Sequence, residues 1–160
     1  MKRFYSVVVV LVLSLVTGSY SKTLLNSDFN ADANGWTQEY GGKWQIQANA
    51  FEGKTFSAWA GDKNWTDYRV TLKAKCLEGG DEGQIWLSFR YQDEWNRYAI
   101  AIRGGLLDDI ALFRYQKTSV PKQPSVRCPL NVPLGFDFKT NIWYTIKIEI
   151  SGPQIKVWIG

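Results

Sequence analysis

The chain has 160 residues, with 19 Lys and Arg against 15 Asp and Glu, a formal charge of +4, and no histidine. The missing imidazole excludes a histidine general base, a Ser-His triad and any His-ligated zinc site, and two cysteines alone cannot complete a tetrahedral thiolate site. Lys2 and Arg3 belong to an N-terminal leader, so removing them takes the charge from +4 to +2 and leaves no basic block of the kind that engages nucleic acid.

Residues 1–21 read as a secretory signal peptide. Lys2 and Arg3 precede the apolar run 7–16, which is followed by small residues at Ser19 and Ser21 where a signal peptidase needs them. The run is too short to span a bilayer comfortably. The expectation is therefore an exported protein, extracellular or periplasmic, with no stable membrane association after cleavage. Residues 22–160 are the length of one ordinary domain able to bury a two-layer core. Eight Trp, eight Tyr and eight Phe exceed what such a core requires, which places some rings on the surface.

The elements that follow are all short strands. Residues 23–29 predict an entry strand, and residues 28–36 a polar turn in which Asp28, Asn30, Asp32 and Asn34 alternate, with Glu39 eleven positions after Asp28. That spacing is shared with calcium loops, but Ala33 stands where glycine is needed and no helical pattern flanks it. An Asx-rich turn and a structural calcium site of another kind, on Asp28, Asn30 and Asp32, both remain open. No other cofactor is expected. Residues 35–40, 43–47, 50–53 and 56–60 are further short strands, separated in part by Gly41-Gly42 and Asn49. Asn64-Trp65-Thr66 is an N-glycosylation sequon in a loop. Residues 68–76 form the first long strand, with Val70, Leu72 and Ala74 on one side and Arg69, Thr71, Lys73 and Lys75 on the other.

The centre of the chain, residues 83–116, predicts three strands. Ile85, Leu87 and Phe89 alternate with Trp86, Ser88 and Arg90, and Gln92, Asp93 and Glu94 make the hairpin loop. The second strand runs over residues 95–103, and the third over 110–115 after Gly104-Gly105. Residues 117–133, with Pro121, Pro124, Pro129 and Pro133, read as one irregular connection. A closing hairpin joins 143–151 to 154–159 across Gly152-Pro153. Export makes a Cys76–Cys128 disulfide permissible, stabilising by roughly 4 kcal/mol on chain-entropy grounds. Many strands with one polar face each, and no window of helical period, predict an all-β, two-sheet antiparallel β-sandwich.

The run 89–98 (FRYQDEWNRY), residues 110–112, 143–150 and 154–159, together with Asp28-Phe29, Gly35-Trp36, Trp44 and Phe51-Glu52-Gly53, resemble the concanavalin A-like lectin/glucanase superfamily. More narrowly they are similar to laminin-G-like jelly rolls and to bacterial 3-keto-disaccharide hydrolase or family-sixteen-like domains. The resemblance covers most of residues 24–160. It implies a jelly roll with carbohydrate on its concave sheet, and at least one strand beyond 154–159, so the expectation is either a sequence truncated at its C-terminus or a sandwich lacking its last strand.

Strand parity independently picks a face. If Ile85, Leu87 and Phe89 are core, Trp86 and Arg90 point away, as do Arg97 and Arg103 on the next strand and Trp158 on the last. Indole rings stack on the C–H faces of sugars while Arg hydrogen-bonds hydroxyls, so Trp86, Arg90, Arg97 and Trp158 are the candidate carbohydrate-binding residues, with Ala99 and Ala101 leaving room. Glycoside hydrolysis needs two facing carboxyl groups. The Glu-x-Asp-x-x-Glu strand motif of the similar glucanases is missing, and Asp81-Glu82, Asp93-Glu94 and Asp108-Asp109 fall in predicted turns. The reading is a binding domain for a polysaccharide or glycan, without catalysis. A 3-keto-glycoside hydrolase using Asp93 and Glu94, and a laminin-G-type adhesion domain, stand as alternatives.

Overall fold

A computed structural model describes residues 7–17, 20–38, 43–54, 58–120 and 124–160. Parts of the expected leader (1–6 and 18–19), Glu39, Gly41-Gly42, the ends of the expected strands 35–40 and 56–60, and Pro121 lie outside the described residues. The described chain is all-β and antiparallel, as the alternations predicted, with a single 3-10 turn at Gly80–Glu82. No described helix is long and apolar enough to cross a membrane.

The chain divides into two compact units, residues 1–77 with 141–160, and residues 78–140. The first unit holds strands β1 (Val7–Thr17), β2 (Tyr20–Ser27), β3 (Trp36–Gln38), β4 (Lys43–Gln47), β5 (Ala50–Lys54), β6 (Ala58–Ala60), β7 (Tyr68–Cys76), β12 (Tyr144–Ser151) and β13 (Gln154–Ile159). The second holds β8 (Gln84–Asp93), β9 (Asn96–Arg103), β10 (Asp109–Gln116) and β11 (Ser125–Pro133).

In the first unit the main sheet runs β13-β12-β7-β1-β5-β4, with β2 also on β1. The alternation predicted for residues 68–76 is observed: Val70, Leu72, Ala74 and Cys76 are buried, and across the ladder so are Ile146, Ile148 and Ile150. One face of these strands is apolar because every second residue is, which fixes the register. The 11-residue β1 lies against β7, Val7 opposite Cys76 through Ser14 opposite Arg69. β3 and β6 form a separate two-stranded ladder.

The turn before β3 carries a side chain inward. Phe29 has φ 56° and is fully buried, stacked on Phe51 at 5.5 Å and tilted against Trp36 at 5.7 Å. A bulky residue in the left-handed region is strained, and two Asx turns hold the segment there. Asp28 Oδ1 accepts the Asn30 N–H, and Asp32 Oδ1 accepts the Asn34 N–H. Trp36 closes the cluster by donating Nε1–H to Ser27 Oγ at 3.1 Å.

The second unit is one sheet, β11-β10-β9-β8. Here two expectations change. Residues 125–133, read as an irregular connection, form strand β11, an exposed edge strand. Its prolines fit because Pro cannot donate to a ladder and survives at edges and bulges, and Pro129 lies where the register with β10 shifts. Cys76 and Cys128 are not joined by the expected disulfide. Cys76 is buried on the apolar side of β7 in the first unit, whereas Cys128 is exposed on β11 in the second, its Sγ–H donating to the Leu130 carbonyl at 3.3 Å.

Candidate functional site

The registers of the second unit sort its side chains into two faces. Ile85, Phe89, Ile100 and Ile102 are buried on one. The other is built in cross-strand rows: Gln84, Arg103 and Asp109; then Trp86, Ala101, Ala111 and Asn131; then Ser88, Ala99 and Phe113; then Arg97, Tyr115 and Val126. Sequence parity placed Trp86 and Arg97 together, and the registers do the same.

Trp86 is 42 % exposed and stacks on Phe113 at a centroid distance of 5.1 Å, the rings 24° from parallel. The pair comes from β8 and β10, on either side of β9. Ala99 and Ala101 of β9, the register neighbours of these two strands, are themselves buried, so the alanines do not leave the open room expected of them. Trp86 Nε1–H donates to Gln84 Oε1 at 2.9 Å, which fixes the indole along its strand. At one end Arg103 grips Asp109 through two parallel bonds of 2.7 and 2.6 Å, and its guanidinium also lies 5.6 Å from the Phe113 ring. The fork-to-fork geometry makes this a strong charge-assisted pair. Arg103 holds the Asp109 carboxyl below the usual carboxylate range, and a hydrogen bond from Asn131 pushes the same way.

At the other end the Arg97 guanidinium lies over the Tyr115 ring at 4.4 Å, while Nη1–H donates to the Glu94 carbonyl at 2.8 Å. Its Nε–H is buried with no hydrogen-bond partner among the described residues. The face is thus a strip of five aromatic or guanidinium planes with hydrogen-bonding edges.

The other expected residues fall elsewhere. Arg90 is half-buried at φ 48°, inside the irregularity of β8 between Phe89 and Asp93, so strand alternation does not extend to it. Trp158, 48 % exposed, belongs to β13 of the first unit, opposite Lys147. Asp28 and Asp32 each use one carboxylate oxygen in an Asx turn, and no group of three His, Cys, Asp or Glu able to hold a metal occurs among the described residues. Asn64 is exposed in a turn, its N–H held by Asp62 Oδ1.

Asp93, Asp109 and Glu149 are each tied to structural partners. Asp93 Oδ1 accepts the N–H groups of Trp95 and Asn96, each at 2.8 Å, and the Asn96 side-chain amide donates to the same carboxylate, holding it below its ordinary range. Glu149, for which the sequence offered no partner, pairs with Arg69 at 2.8 Å. Phe113 and Tyr115 were not singled out in the sequence, although both stand at the parity of Ala111 along β10. Recognising them required the β9–β10 register.

No protein-family model matches the chain, and no solved structure matches it. The chain is similar to an extracellular exo-alpha-L-arabinofuranosidase of Streptomyces chartreusis, 34 % identical over 88 residues. The match takes in 52 % of this chain and 10 % of the Streptomyces protein, so the similarity spans a small part of that relative.

Proposed function

We propose that this protein is an exported carbohydrate-binding domain of the concanavalin A-like kind, without catalytic activity, whose glycan-contacting surface is the Trp86 face of β8, β9 and β10. The observation that carries the reading is the half-exposed Trp86 stacked on Phe113, with Arg97 over Tyr115 along the same strip. An exposed aromatic pair on a sheet has an apolar π-face for sugar C–H groups, and the flanking arginines have donors for ring hydroxyls. The similarity to an enzyme named for arabinofuranosides points to arabinose-bearing polysaccharide as the first ligand to try.

Binding is favoured over hydrolysis by what the carboxylates do. A general acid needs a raised pKa near the scissile bond. Asp93 and Asp109 are both lowered, the first by Asn96 and the second by Arg103, and each is engaged in positioning its own neighbours. The small fraction of the Streptomyces protein matched also suits an accessory domain.

The test is titration of arabinan and arabinoxylan into the protein and its Trp86→Ala variant. Loss of the indole is expected to weaken binding about tenfold, the equivalent of about 1.4 kcal/mol, with an unchanged melting temperature. Equal affinity for both forms would remove the site, and release of arabinose would convert the reading to an enzyme.

A further inference from the structure

We propose that the polar face of β7, β12 and β13 is a second binding surface, selective for an acidic polysaccharide such as a polyuronate. This goes beyond the reading above and uses none of its residues.

The registers set the face out in rows. Lys75 lies beside Trp143; Lys73 is opposite Thr145; Thr71, Lys147 and Trp158 make the third row; Arg69, Glu149 and Lys156 make the fourth. Five cations therefore share three strands with one carboxylate, Glu149, which Arg69 already holds at 2.8 Å. Asp67, at the approach to β7, is engaged by the Gly152 N–H at 2.6 Å. Lys73, Lys147 and Lys156 are exposed, and none has an ion-pair partner among the described residues.

A lysine-rich sheet face is ordinarily only a solvated one. What sets this one apart is its two indoles. Trp158 is 48 % and Trp143 42 % exposed, where the parity of β13 would be as well served by a polar residue. Lys75 sits 4.9 Å from the Trp143 ring centroid, which holds its charge over the ring face. Neighbouring strands stand about 5 Å apart, and same-face residues about 7 Å apart along a strand. Cations repeat on that grid, with one indole in its first row and the other in its third. A regularly charged chain of sugars, with carboxylates for the ammonium groups and C–H faces for the indoles, complements both features at once, whereas a neutral glycan would use only the indoles.

The experiment measures polygalacturonate binding by calorimetry at several salt concentrations, for the unaltered protein, Lys73→Gln/Lys147→Gln/Lys156→Gln, and Trp158→Ala. Arabinan and anionic phospholipid vesicles are the comparison ligands, and melting curves check folding. Polygalacturonate is expected to bind with an affinity that falls with salt. The triple variant should lose at least tenfold with a shallower salt dependence, and Trp158→Ala several-fold with the dependence unchanged. Arabinan binding should be unaffected by the lysine changes but weakened by Trp86→Ala, so the two surfaces fail or stand separately. The proposal is overturned if polygalacturonate does not bind, if the triple variant binds it equally, or if vesicles bind and polygalacturonate does not.

Discussion

Asp109 couples charge to stability at the level of a single residue. The residue is 6 % exposed and its carboxylate is held by Arg103 and Asn131, so its pKa in the folded chain lies below that in the unfolded one. A lowered carboxylate contributes stability above its unfolded value of about 3.9, and that contribution disappears as pH falls through the folded value. Asp109→Asn should therefore cost about 2–3 kcal/mol at neutral pH, by leaving Arg103 without its counter-charge. The gap in melting temperature between the two proteins should narrow below about pH 4, and a gap that stayed constant into acid would show that the ion pair is not its source. The neighbouring residues show which parts of the site could be read beforehand. Trp86 was legible because Ile85 and Phe89 are apolar on either side of it, and a strand has only two faces. Arg90 obeyed the same pattern on paper, but the left-handed residue at its own position interrupts the strand. Local composition carries no signal for that interruption. Asp28 and Asp32 looked like ligands because Asx turns and calcium loops use the same residues at the same spacing.

Among the elements, the β4–β5 hairpin shows how a glycine can specify packing. Gly53 is opposite Trp44, and a Cβ on Gly53 would come within 2.1 Å of the indole ring. The ring lies flat against a strand position that has no side chain, and it also packs on Phe51 at 5.3 Å. The backbone of Trp44 is held from the other side by the Gln38 amide, which donates to its carbonyl at 2.8 Å and accepts its N–H at 3.1 Å. With the indole fixed on two sides, Gly53→Ala is expected to destabilise the fold by about 1–3 kcal/mol, as overpacking does. Chemical denaturation would measure this, and an unchanged midpoint would mean that the ring moves freely. Strands such as β7 and β12 were legible in full because each has four or five alternations with one buried face. β11 was not, since it is an exposed edge whose pairing depends on β10 and whose prolines mimic a loop. A strand defined mainly by its neighbour leaves little trace in its own residues.

For the whole molecule, the segment Val7–Thr17 has two incompatible uses. With Lys2 and Arg3 before it and the small Ser19 and Ser21 after it, it has the length and flanks of a leader that export would remove, and its backbone pairs with β7 along eight positions and with β2 along seven. Both uses draw on the same property, since a Val- and Leu-rich run broken only by Ser14 is apolar enough for the translocon and β-branched enough for a sheet. We propose that export removes it, so that β7 keeps β12 as its partner and loses β1. Backbone groups alternate in direction along an antiparallel strand, so only those β7 amides aimed at β1 would lose their hydrogen bonds. The rest would stay protected by β12. N-terminal sequencing of the secreted protein should then begin at Lys22, and hydrogen exchange should divide residues 69–74, which pair with both β1 and β12, into alternating fast and slow amides. The unprocessed chain should show uniform slow exchange over the same residues. A secreted protein that begins at Met1, with all of β7 protected, would mean that the apolar run is a permanent strand, and that the length counted for the domain must start there.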